Sequence, residues 1–208
     1  MGIYGFLIHS SENVGSIYFS HFYTAEGNDP TKATRQQTIV RKVMEDKSFQ
    51  QHSVSHYPTK LDLRVISQSS LNSLNTTKKA SECYPGSDPD QNRVPMPIEG
   101  VVMLGSTTGL FSKSLVAIWR QFGSITLSLV CDPRYNLTIA ANSLVLIADR
   151  LGRRFGTKAI EKHILDEPDE IESIVSTFFQ QGNPLITNHS LYRFMLRNGG
   201  GIETLLLH

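Results

Sequence analysis

The residues whose types and settings could do chemistry are His9 and His21, Cys83 and Cys131, Asp132, and the acidic trio Glu167, Asp169 and Glu170. His9 and His21 fall in two successive apolar segments, so a hairpin could make them neighbours and a metal pair. The commoner reading is of strand histidines that pack on a sheet or face solvent. Cys83 and Cys131 are the only two cysteines, and their spacing matches no metal knuckle or redox pair. They read as free thiols in a reducing compartment. General acid–base work by Asp132 or the acidic trio would need a partner and a pocket that shifts a pKa, and neither is readable. The trio precedes a helical stretch, where carboxylates favour the macrodipole. Gly105-Ser-Thr-Thr-Gly109 has the glycines of a phosphate-cradling turn but lacks the Gly-Lys-Ser/Thr that would touch phosphate and magnesium. No catalytic, cofactor-binding or metal-ligating residue is assigned, and the chain reads as a non-enzyme.

Bulk properties narrow the classes further. At 208 residues, 39% hydrophobic and 19% charged, the chain can bury a core without disulfide staples. A formal net charge of +1 gives no electrostatic footprint for nucleic acid. Met1 to His9 has neither a basic start nor a small-residue cleavage site, and no apolar run is long enough to span a bilayer. Phe6 and the terminal Leu-Leu-Leu-His exclude the myristoyl and prenyl signals. Sequons begin at Asn75, Asn136 and Asn188, but a chain that is not secreted would not meet the glycosylation machinery. The expectation is a cytoplasmic chain whose membrane contact, if any, is supplied by partners.

The elements that must position these residues follow from periodicity. Ile3 to His9 and Ser16 to Tyr23 read as a strand pair joined by a turn over Ser11 to Gly15. Asp29-Pro30 opens a helix to about Gln51, carrying Ile39, Val40, Val43 and Met44 at helical spacing. From His52 to Pro97 the pattern dissolves into Ser, Asn, Pro and Lys, which reads as a mostly disordered insertion inside one domain. The short alternation Leu61, Leu63, Val65 is its only strand-like or docking-like stretch. Gly100 to Ser106, Ser114 to Phe122 and Ser124 to Asp132 are Val-, Ile- and Leu-rich strands, with Gly123 linking the last two. Asn136 opens a long helix with the stripe Leu137, Ala141, Leu144, Ala148, Leu151 and Phe155, closed by Gly156. Pro168 starts another helix with Ile171, Ile174, Val175 and Phe178. Asn183-Pro184 interrupts before a weaker segment around Leu191 to Leu196. The order is β-β-α-β-β-β-α-α, an α+β fold with a five-stranded antiparallel sheet.

On the helix opened by Asn136, Ile139 and Leu146 lie one heptad apart, roughly opposite the packing stripe. A helix apolar on two faces is covered on two sides. Arg150, Arg153 and Arg154 flank the second face as a basic rim. Ile139, Leu146, Arg150 and Arg153 are therefore the candidate partner interface. Coverage by the insertion or the C-terminal segment is the competing explanation.

Several phrases, taken in order, resemble the small sigma subunits of the adaptor protein complexes, which have the longin-like clathrin adaptor small-chain fold. They are Tyr4-Gly-Phe-Leu-Ile-His9, Ser16-Ile-Tyr-Phe-Ser-His-Phe-Tyr23, Leu115-Val-Ala-Ile-Trp-Arg-Gln-Phe122, the strand Ser124 to Asp132, and Asn136-Leu137 through Arg154-Phe155-Gly156. Gln121 departs from the usual second basic residue. The insertion, Val101-Val-Met-Leu-Gly105, the Leu-Val-Cys-Asp132 strand end and Pro184-Leu-Ile-Thr-Asn188 are similar to the sigma chain of the fifth adaptor complex. The resemblance implies one longin-like domain over 1–208, with the insertion at about 52–97 and a C-terminal extension at about 182–208. It implies a heterotetramer with two large chains and a medium chain, and spastic-paraplegia-associated accessory proteins. It also implies clathrin-independent transport on late endosomes and lysosomes, with peripheral membrane association through the complex. Some sigma chains bind dileucine sorting signals, and the matching pocket positions here are Ile125 and Ala148. A longin-type regulatory module of a tethering or SNARE machinery is the alternative. Neither a cofactor nor a small-molecule substrate is implied.

Overall fold

The computed structural model describes residues 2–54, 98–105, 109–156, 160–186 and 189–197. Nearly all of the expected insertion, Cys83, the Leu61 to Val65 alternation and the end of the C-terminal extension lie outside the described residues. The chain divides into two units, Met1–Gln51 with Pro97–His208 and His52–Met96. The fold described below is that of the first.

Strand β1 (Ile3–Ser10) and β2 (Ile17–Phe22) form an antiparallel hairpin in which Phe6 lies opposite His21 and His9 opposite Ile17. Its turn is held by side chains that mimic backbone. Ser10 Oγ accepts the amides of Glu12 and Asn13 at 3.1 and 3.0 Å, and Asn13 Oδ1 accepts that of Gly15 at 3.1 Å. β3 (Glu99–Leu104), β4 (Leu115–Phe122) and β5 (Ile125–Cys131) complete a five-stranded sheet in the order β2-β1-β5-β4-β3, with every pairing antiparallel. Gly123, with φ of 59°, takes the left-handed position in the tight link from β4 to β5.

Both faces of the sheet are covered. On one, α1 (Lys32–Val54) sets Ile39, Val40 and Val43 against Tyr4, Leu7, Leu115, Ala117, Trp119 and Val130. On the other, α2 (Leu137–Phe155), α3 (Ile160–Asp166) and α4 (Pro168–Phe178) bury Leu144, Ile147, Leu151, Ile164, Ile171 and Phe178 against Phe6, Ile8, Ile118, Leu127 and Leu129. Asn136 caps α2 by accepting the amides of Thr138 and Ile139 at 3.0 and 3.2 Å. A two-residue ribbon, β6 (Phe179–Gln180) with β7 (Asn183–Pro184), leads to α5 (His189–Arg197).

The structure adds the Ile160–Asp166 helix, the β6–β7 ribbon and α5 to the expected element order. The helix at Ile160–Asp166 is short, and only Ile160 and Ile164, one turn apart, mark its buried face among charged neighbours. α1 is helical from Lys32, two residues after Pro30, and Asp29 caps its start. The Asp29 carboxylate accepts the Thr31 amide at 2.8 Å and pairs with the buried Arg35, whose Nε also donates to Leu110 O at 2.5 Å. Arg35 therefore ties the start of α1 to the segment entering β4.

His9 and the terminal Ser10 are the polar residues of β1. The His9 Nδ1–H donates to Ser10 O at 2.8 Å, so in the neutral ring Nε2 accepts from Ser128 Oγ at 3.1 Å. Burial, with a smaller contribution from Lys47, pulls its pKa down to about 4. An unfolded histidine titrates near 6.5, so the unfolded chain takes up this proton first as pH falls. The His9 contribution is complete above about pH 6.5 and is lost as pH falls towards about 4, by ~3 kcal/mol at most. Urea melts of the wild type at pH 7 and pH 4.5 should therefore differ by more than those of His9→Gln. Equal pH dependence in the two proteins would show that His9 is not held neutral.

Candidate functional site

The structure separates the candidate chemical groups instead of gathering them. His9 and His21 stand opposite positions three residues apart on β1 and so project from opposite faces of the sheet. His9 is enclosed on the α1 side, whereas His21 Nδ1 meets Glu172 of α4 at 3.0 Å. The metal pair is not formed, and among the described residues no group of three or more His, Cys, Asp or Glu could hold a metal ion. Cys131 is a free, buried thiol that burial, aided by Asp132, pushes up to about 12. It is a poor nucleophile at neutral pH. Asp132 is held well below the carboxylate range, first by Lys113 at 2.9 Å and then by Arg134 at 3.2 Å, and fastens the link from β5 to α2. Of the acidic trio, Glu170 is pinned by Arg154.

The candidate interface on α2 needs correction. Leu146 is 0% exposed and belongs to the same buried cluster as Ile171, Ile174, Val175, Phe178 and Tyr192. The expected second face is covered from within the chain. α4 binds one flank through Arg154 and Glu170, and α5 binds the outside, where Tyr192 Oη donates to Asp149 Oδ2 at 2.9 Å. Ile139 and Arg150 are half-buried, while Arg153 is exposed and paired with Asp149 at 2.7 Å. Ile125 and Ala148 sit in the same cluster and are both buried.

An open apolar face does exist, on the strand at the sheet's edge. Val101 and Met103 of β3 are 50% and 59% exposed. They stand opposite Ile118 and Val116 of β4, both of which pack under α2, so the four side chains share one face. The shortfall is dimensional. Helices pack about 8–10 Å apart and strands about 4.8 Å apart, so each helix covers roughly two strands. α2 takes β4 and β5, and α3 and α4 lie towards β2, which leaves the α2-side face of β3 bare among the described residues. The other face of β3 is closed, with Leu104 buried and Val102 packed in the α1-side core. The signal was present in Val101-Val-Met-Leu104. An edge strand with no polar alternation implies cover on both faces, and the described residues supply it on one.

The sequence model of the family described as AP-5 complex subunit sigma-1 matches residues 2–198. The chain belongs to this family. No curated protein matches it. The architecture is accordingly the longin-like α+β fold of an adaptor small chain, and the chain is a small subunit of an adaptor complex. Within this sigma family the scattered polar residues need no catalytic role, and the surface of interest is where a neighbouring subunit could seat.

Placing a carboxylate at Leu146 now has a different expected result from one at an open surface. Leu146→Asp should unfold the chain about as badly as Leu144→Asp, since each puts an unpaired charge in the core, at a cost of several kcal/mol. Circular dichroism melts of the two variants check this. A folded Leu146→Asp protein with a near-normal melt would return that position to the surface.

Proposed function

We propose that the chain is the sigma subunit of a heterotetramer with two large chains and a medium chain, and that it docks through the bare face of β3. The complex works on late endosome and lysosome membranes in clathrin-independent sorting of cargo, together with spastic-paraplegia-associated accessory proteins. Support for the assembly comes from the family match over residues 2–198 and from the ordered phrases of β1, β2, β4, β5 and α2. No helix among the described residues is long and apolar enough to cross a membrane. In this reading membrane association is peripheral and comes through the complex.

The observation that carries the reading is the exposure of Val101 and Met103 on a strand whose opposite face is already packed. Both side chains are already about half covered, so burying the remainder at a partner's surface contributes on the order of 1 kcal/mol each. Ile139, Arg150 and Arg153, on the outer side of α2, form a second proposed contact, of lesser weight because Arg153 already has Asp149. Leu146 is left out of it. Sorting-signal binding at Ile125 and Ala148 would require the core to open there and is not included.

The test uses the full chain co-expressed with the other three subunits. Met103→Asp should lower co-precipitation at least tenfold while leaving the melting temperature of the isolated chain within about 2 °C, since an exposed substitution costs the monomer little. Ile139→Asp should weaken assembly less. Assembly unaffected by Met103→Asp but abolished by Ile139→Asp would move the interface to α2.

A further inference from the structure

The contact between α1 and the sheet changes character along the helix. Its first part is apolar, with Ile39, Val40 and Val43 fully buried. From Glu45 to His52 no apolar side chain turns towards the sheet. Phe49 points away and is 70% exposed, and the sheet-facing positions are Asp46, Lys47 and Gln50.

The sheet beneath is polar as well. His9, Thr126 and Gln121 are register partners across β1, β5 and β4, with Ser128 and Trp119 paired in the next row. Trp119 Nε1–H donates to Asp46 Oδ2 at 2.8 Å, Gln50 Nε2 donates to the same oxygen at 3.1 Å, and Lys47 Nζ donates to Ser11 O at 2.5 Å. Among the described residues, Thr126 Oγ1 and Gln121 Oε1 are buried without a protein partner, and Lys47 is 5% exposed with that one hydrogen bond for three ammonium donors. Hydrogen bonds exchanged for water stabilise far less than apolar burial does, and orphaned polar atoms oppose closure. Gly100 is what allows the close approach. A Cβ there would come within 2.4 Å of Gln50 Nε2, 2.5 Å of Asp46 Oδ2 and 2.8 Å of Trp119 Nε1.

We propose that Asp46–Gln51 is a detachable strap. It is a polar clasp at the end of α1 that lifts from the sheet without unfolding the domain and uncovers Trp119 and the His9–Thr126–Gln121 row. The apolar half of α1 stays seated, so the hinge lies just after Met44. In the lifted state the two orphaned side-chain oxygens and the Lys47 ammonium gain partners, from water or from an extended segment laid across the row. The strap thus gives the subunit two states that differ in which polar groups it presents.

The chain's only tryptophan is the probe. In the full chain, Gly100→Ala should raise acrylamide quenching of Trp119 several-fold. It should also speed amide exchange in peptides covering 46–51 at least tenfold, with 39–43 and β5 unchanged. Lys47→Met, which replaces the desolvated ammonium with an apolar side chain, should do the reverse and slow exchange in 46–51. The proposal is overturned if Gly100→Ala leaves both readouts at wild-type values, if it loosens 39–43 and β5 equally, or if Lys47→Met speeds exchange.

Discussion

β1 is buried at all eight positions, with strands on both edges and helices over both faces, and the rest of the molecule is arranged around that requirement. A strand covered on both faces cannot alternate apolar with polar, so β1 is apolar along nearly its whole length. Where it is not, at His9 and the terminal Ser10, the His9 ring must be neutral and bonded to Ser10 and Ser128. The same double cover demands two helical layers of unequal size. α1 alone serves one face, while α2, α3 and α4 share the other.

Each layer ends before the sheet does, and the two shortfalls have different chemistry. On the α1 side the apolar contact ends at Met44, and polar groups of Asp46, Lys47 and Gln50 take over on a polar floor. On the α2 side the helices end over β4, and β3 shows Val101 and Met103. Polar groups can be satisfied by water when a contact opens, so the first shortfall tolerates movement. Bare apolar side chains gain only from being covered, so the second favours a partner. For a member of a sigma-subunit family, a sheet face completed by another subunit is a coherent use of the fold.

Much of this was legible in the sequence because local period and local punctuation agreed. The alternation in β2, the two apolar strands flanking Gly123, the Asn136 cap and the stripe through Leu144 and Leu151 each placed an element within a residue or two. Strand order was not legible, since β1 pairs with β5 across more than a hundred residues and no local pattern encodes that pairing. α3 was too short, and its two isoleucines too isolated, to show a period. Leu146 was misread for a related reason. Helical spacing showed that α2 has two apolar sides, but which neighbour covers the second depends on the docking of α4 and α5, a tertiary fact. The β3 face was the reverse case, a run apolar on both sides whose missing cover appears only once the helices are counted against the strands.

The account turns on what lies over β3, and proximity can be read directly. A photo-reactive amino acid placed at position 103 of the full chain, in cells expressing the other subunits, should crosslink to one of them on illumination. The same residue at position 165, an exposed position on α3, should not. Crosslinking to a subunit from 165 with none from 103, in a complex that still assembles, would contradict the account.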